Sequence, residues 1–219
     1  MRIAIIGASG KTGAHLVRAA LARGHEVSAL CRASSASRLD AFRNAPGFRL
    51  HTAAVIADES AVRAALDGCD GAIAIHISVR RLKATALVRA MQRCAVRRVV
   101  FTAGEVTTHR NPGERYTARQ WLLRTLAPPL TAPTPYSVTD MLRASRLVRE
   151  HDWDWTIVRA PTLVEGEPTG HRRCDLHEIT GRDRLRRADY AAALLEALGD
   201  EQSSRRAVTV TGLTRRRES

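Results

Sequence analysis

Apolar and polar positions along the chain switch between two periods. Arg2 to Ile6 is a short β-branched apolar run that stops at Gly7. Lys11 to Arg23 places Val17, Ala20 and Leu21 on one helical face and meets Gly24, a C-terminal stop. The same alternation predicts strands over Glu26 to Cys31, Phe48 to Val55, Gly71 to Ile77 and Arg98 to Thr102. Helices are predicted between them over Ser37 to Arg43, Ser60 to Leu66 and Arg81 to Cys94. A helix over Val138 to Glu150, a strand over Trp155 to Val158, a helix over Arg187 to Leu198 and a strand over Ala207 to Val210 complete the series. Strands alternating with helices at this spacing make βαβ units, and right-handed crossovers then wind them into a parallel sheet covered on both faces. The expected organisation is one α/β domain over residues 1–213, followed by a disordered basic tail at 214–219. Two excursions interrupt it, at 104–135 and 160–186. The first holds Pro112, Pro128, Pro129, Pro133 and Pro135 and is read as a loop-rich segment over the active-site face.

The first strand–helix junction carries specific chemistry. Gly7, Gly10 and Gly13 are spaced G-x-x-G-x-x-G between a strand and a helix, within G-A-S-G-K-T-G. Gly7 permits the tight turn, Gly10 leaves room for a pyrophosphate, and Gly13 lets the helix pack closely. Free N–H groups at the helix start, with Ser9, Lys11 and Thr12 around them, then face phosphate. The triphosphate P-loop is excluded, because it needs glycine where Ile5 stands. A doubly wound sheet with this loop is Rossmann-like. The second strand ends at Cys31-Arg32 with no carboxylate for a ribose hydroxyl. Arg32, with Ser34, Arg38 and Lys11, suits a 2′-phosphate instead, so NADP(H) is favoured over NAD(H).

Charge adds less than its size suggests. The chain of 219 residues has 35 Lys+Arg against 22 Asp+Glu, a net +13, which by itself points to polyanion partners. Only Lys11 and Lys83 are lysines, and the paired arginines are scattered over many elements rather than forming a stripe. Aromatic residues are 4%, too few for base-stacking platforms. No apolar run approaches the roughly 20 residues of a membrane span. Neither nucleic acid nor membrane is therefore expected as a partner; a small molecule is, with a monomer and a dimer both open. The apolar run behind Met1-Arg2 ends too early for an export signal, and Cys31, Cys69, Cys94 and Cys174 form no Cys-x-x-Cys pair. A cytoplasmic protein with reduced thiols is expected.

Beyond the glycine loop, H-E-V-S-A-L-C-R at 25–32, A-L-D-G-C-D-G-A-I at 65–73, W-T-I-V-R-A-P at 155–161 and R-A-D-Y-A-A-A-L-L at 187–195 complete a pattern. It resembles the atypical short-chain dehydrogenase/reductases, in particular the NAD(P)H-binding proteins that include NmrA-like proteins and flavin/biliverdin-IXβ reductase. The resemblance runs from Arg2 to about Val210. It implies that Val55 lies near adenine, Ile75 and His76 near ribose, Thr102 and Ala103 beside the nicotinamide, and Ala160, Pro161 and Thr162 over it. Departures from the family pattern matter too. Thr102 is the only hydroxyl where relatives carry Ser. In place of Tyr-x-x-x-Lys, Tyr136 is slightly out of register, with Met141 where the lysine falls.

The resemblance and these departures together imply an NADP(H)-dependent oxidoreductase, bacterial in type, acting on a small aromatic or conjugated substrate without the usual catalytic set. Tyr136, His76 and Thr102 are the candidate acids, with water as another proton source. Tyr136 as a packing tyrosine and His76 as a structural histidine stay open. Asp140 is a weaker candidate. His171, Cys174 and His177 have ligand types that zinc accepts, but no metal is expected there. Two further functions stay open on the same scaffold: a non-redox isomerase or cyclase of secondary metabolism, and an NmrA-like NADP sensor whose partner surface is the 104–135 segment.

Overall fold

The computed structural model describes residues 1–56, 58–75, 83–132 and 137–213. His76, Tyr136, the expected strand end at Ile77, the helix start at Arg81 and the tail at 214–219 lie outside them. In chain order the elements are β1 (Arg2–Ile6), α1 (Lys11–Ala22), β2 (Glu26–Arg32), a 3-10 segment (Ala33–Phe42), β3 (Phe48–Ala53), α2 (Glu59–Leu66), β4 (Gly71–Ala74), α3 (Lys83–Gln92) and β5 (Arg98–Gly104). Then come α4 (Ala118–Thr131), α5 (Val138–Arg149), β6 (Asp154–Ala160), β7 (Thr162–Val164), β8 (His171–Cys174), β9 (Arg184–Arg186), α6 (Arg187–Gly199) and β10 (Arg206–Gly212).

Eight strands form one sheet in the order β3-β2-β1-β4-β5-β6-β10-β8. Every pairing is parallel except that of β8 with β10. Strand alternation explains the near-continuous apolar runs. Ile3, Ile5, Ala29, Ile73, Val100 and Val158 face Leu16, Val17, Leu194 and Leu198 of α1 and α6. Ala4, Ile6, Leu30, Ala72, Val99 and Ile157 face Val62, Leu87, Met91 and Val148 of α2, α3 and α5. A parallel sheet buried on both faces must be apolar at every position, so period 2 is lost inside its strands. The order reverses at β1, whose neighbours are β2 on one side and β4 on the other. In such sheets the crevice beyond those strand ends is where ligands bind.

The 104–135 segment differs from its reading as loop: α4 fills 14 residues of it, Pro128 and Pro129 included. Thr117 and Gln120 form a reciprocal capping box at its start. Polar anchors hold it down. Gln120 Nε2 donates to the Leu176 carbonyl at 2.7 Å, and Arg124 donates to the carbonyls of Val106 and Thr108. Apolar periodicity could not reveal such a helix, because Trp121, Leu122, Leu123, Leu126 and Leu130 are all exposed.

The foot of the excursion is an ion pair. Arg159, on β6 and 1% exposed, meets Glu114 through both terminal nitrogens, one at 2.9 Å. Asn111 exchanges hydrogen bonds with the backbone of Ala207 on β10, donating at 2.6 Å and accepting at 3.1 Å. Burial pushes the Glu114 carboxyl up, but bonds from Arg159 and the Asn111 N–H outweigh it and hold the group below its ordinary range.

Part of the arginine excess is therefore internal. Arg98 serves the same way, donating to the carbonyls of Leu198 and Ala197 at the C-terminus of α6. The 160–186 excursion supplies β8 and a small parallel pair of β7 with β9, none of them expected. Among the described residues no three His, Cys, Asp or Glu side chains gather as a cation site. His171 faces Glu196 instead, at 3.0 Å, and His177 is exposed.

Candidate functional site

A cleft of about 840 Å³ opens beyond the carboxyl ends of β1, β2, β4, β5 and β6. Its floor is the glycine loop. The N–H groups of Gly7 and Ala8 both donate to the Leu30 carbonyl, at 2.9 and 3.1 Å, which pins the loop to β2. Gly7 adopts φ +92°, a conformation that favours glycine. A Cβ on Gly13 would stand 2.4 Å from the carbonyl oxygens of Gly7 and Ala8. The first turn of α1 thus presses directly on the loop. Gly10 is its N-cap; no side chain caps it and no acidic residue sits in its first turn. Its leading N–H groups have no partner within the helix, and the dipole makes that end attractive to anions.

Residues brought together at the cleft divide by chemistry. Lys11, Arg32 and Arg38 line the β1–β2 end, all exposed. Among the described residues none of the three has a carboxylate partner. Beside them Val55 is exposed and Ile56 buried. Ser9, Thr12 and Ile75 line the middle. Thr102, Ala103, Gly104, Ala160 and Pro161 line the far end, joined by Met141, Leu163 and Tyr190.

Gly13 lies behind the loop rather than on the cleft wall. Ser34 and Thr162 are exposed and do not line the cleft. In Ser34's place Ser35 turns inward. Its hydroxyl donates to the Arg32 carbonyl at 3.1 Å and stands 2.8 Å from Ser9 Oγ, so it braces the segment carrying Arg32 against the glycine loop. Asp140 is buried in the first turn of α5 and does not line the cleft; its neighbour Met141 does.

Several lining residues were not identified from the sequence. Arg187 reaches the cleft from the start of α6, where R-A-D-Y is visible as a pattern but its cation is not visibly aimed. Tyr190 of the same motif is 2% exposed and donates to the Val158 carbonyl at 2.7 Å. Burial pushes its phenol above the usual range, so it is a neutral tie between α6 and the sheet. Asp189 accepts from the N–H groups of Thr169 and Gly170 at 2.9 and 3.0 Å, closing the loop before β8. Cys31 lies in the cleft wall with its thiol pushed up by burial, which makes it an unreactive surface.

The residues present fit a dinucleotide. An uncapped helix N-terminus, a loop that excludes side chains, exposed cations at one end and small apolar walls at the other are what its phosphates and rings require.

Comparisons agree with that geometry. Residues 7–201 match the family described as NAD(P)H-binding. A short-chain dehydrogenase/reductase from Veillonella parvula, solved in complex with NADP, is 18% identical with a TM-score of 0.76, covering 95% of this chain and 93% of that one. The oxidoreductase ylbE from Lactococcus lactis is 17% identical with a TM-score of 0.74, covering 98% and 92%. ChuY, an anaerobillin reductase from Escherichia coli O157:H7, is 21% identical with a TM-score of 0.71, covering 96% of each chain. At these identities the likeness is one of fold. None of the curated proteins matches the chain.

Proposed function

This chain belongs to the NAD(P)H-binding family, and from that premise we propose that it is an NADP(H)-dependent reductase of a small aromatic or conjugated acceptor. The observation that carries the reading is the polarity of the cleft. Among the described residues Lys11, Arg32 and Arg38 stand without carboxylate partners at one end, and small apolar residues line the other. A bound nicotinamide dinucleotide would supply the hydride. Arg32 and Arg38 would grip its 2′-phosphate, with Lys11 reaching from the loop and Ser35 holding the Arg32 backbone in place. The N–H groups of the first turn of α1 would hold the bridging phosphates. Ala160, Pro161, Leu163 and Met141 would exclude water and offer a flat apolar wall to the acceptor. Thr102 would orient it, and Tyr136 or water would deliver the proton.

Arg32→Gln tests the reading. It is expected to weaken NADPH about tenfold or more, the worth of one charge-assisted bidentate contact, and to leave NADH nearly unchanged. Titration of both nucleotides into the variant and the wild type checks this. Equal losses for both would contradict the assignment.

A second reading has its own observation. The exposed face of α4, with Leu122, Leu126 and Leu130 one turn apart, is a surface of the kind a sensor would use against a partner. That reading predicts dinucleotide binding without reduction of any quinone, flavin or tetrapyrrole. Steady turnover of one such acceptor would remove it.

A further inference from the structure

Among the cations lining the described cleft, Arg187 alone comes from the α6 side. It is the first residue of α6, directly after β9. Its Nη1 lies 3.3 Å from Thr12 Oγ1, in the first turn of α1. Its Nε donates to Glu165 Oε1 at 2.7 Å, and its Nη2 lies 3.4 Å from the Leu163 carbonyl. The other Glu165 oxygen meets His15 Nε2, on α1, at 3.2 Å. The guanidinium is therefore fixed from three sides, with one edge at the mouth of α1. Hydrogen bonds from His15 and Arg187 hold the Glu165 carboxyl below its ordinary range, and the geometry of those bonds keeps Arg187 aimed.

We infer that Arg187 is a cationic contact for the bridging pyrophosphate of the dinucleotide, with Glu165 as its positioning residue. The inference rests on the dinucleotide reading above. The charges divide the work. Lys11, Arg32 and Arg38 lie on the β2 side, where a 2′-phosphate distinguishes one dinucleotide from the other. The pyrophosphate is common to both and lies over α1, where backbone N–H groups give direction but no full charge. A planar fork beside Thr12 supplies that charge from the opposite wall.

The experiment uses the full chain and three probes: NADPH, NADH and adenosine 2′-monophosphate, which lacks the bridging pyrophosphate. Arg187→Gln is expected to weaken both dinucleotides by the same factor, about tenfold to a hundredfold, the range of one charge-assisted contact. Adenosine 2′-monophosphate is expected to bind as it does to the wild type. Loss confined to NADPH would move Arg187 to the 2′-phosphate and overturn the inference. Equal loss of all three probes would overturn it too, because it marks a general loosening of the loop.

Glu165→Gln gives a second test that does not require the first variant to fold. It keeps the cation but removes the anion that aims it, so both dinucleotides are expected to weaken by the same factor, about threefold to tenfold, while adenosine 2′-monophosphate binds as to the wild type. Unchanged affinity for both dinucleotides, or an equal loss with adenosine 2′-monophosphate, would overturn the positioning role of Glu165. If the wild type binds neither dinucleotide, the dinucleotide reading itself falls and takes this inference with it.

Discussion

Replacing Glu114 by alanine is expected to remove about 3–5 kcal/mol of folding stability, the usual cost of stripping one partner from a buried ion pair. For a chain of this length that lowers the thermal midpoint by roughly 6–20 °C. Arg159 is 1% exposed and, among the described residues, keeps only the Ala207 carbonyl, at 3.1 Å, once the carboxylate is gone. Arg149, which packs over the Trp155 ring at 4.9 Å, adds a half-buried cation to the same neighbourhood. Burial and its proximity to Arg159 both push Arg149 below its ordinary pKa, a sign that these charges lean on Glu114.

The effect should be specific to the unpaired charge. Adding Arg159→Met to Glu114→Ala should recover most of the loss, because an apolar side chain needs no partner there. The pH dependence has a definite direction. The Glu114 carboxyl is held low in the folded state, so its contribution is complete above the ordinary value of 4.5 and disappears as pH falls through the depressed folded value. The gap between wild type and Glu114→Ala should close on acidification. Melting curves at neutral and acid pH check this, and a gap that widens in acid would refute the assignment.

Gly13→Ala is the second large effect. Its Cβ would sit 2.4 Å from two backbone carbonyl oxygens, and neither can move without displacing the loop. Both belong to residues whose N–H groups are bonded to Leu30, so the displacement reaches β2. Overpacking of this kind costs about 1–3 kcal/mol or more. Dinucleotide binding should suffer further. Losing alignment of two charge-assisted bonds at about 1.5 kcal/mol each weakens it roughly a hundredfold. NADPH and NADH should lose affinity together, unlike in Arg32→Gln. A folded Gly13→Ala protein with wild-type affinity would show that the loop does not carry the phosphates.

What could be read in the sequence follows from how each feature is encoded. The glycine loop and Arg32 are local: a strand, a turn and a helix within a few tens of residues are enough to bring them to one cleft. The parallel strands were visible because two-sided burial makes them apolar throughout, as in Ile3 to Ile6. α4 was not, because its anchoring is polar, through Gln120 and Arg124, and its leucines face outward. β8 has the sequence H-R-R-C and, among the described residues, pairs on one side only, so it shows none of the apolar character of the inner strands. β7 and β9 have three residues each, too short for any period to register. Ser35 and Ser34 are equivalent in sequence; only the 3-10 turn after β2 decides which points inward. Arg187 is 175 residues away from the threonine it meets, a distance that no local pattern spans.

If the cleft takes NADP(H) with its 2′-phosphate against Arg32, as proposed, the two nucleotides must differ in affinity. Side-by-side calorimetric titration of the wild-type chain with NADPH and NADH tests it most directly. Saturable binding of both is expected, with NADPH tighter by about tenfold or more. Absence of heat with either nucleotide, or a preference for NADH, would contradict it.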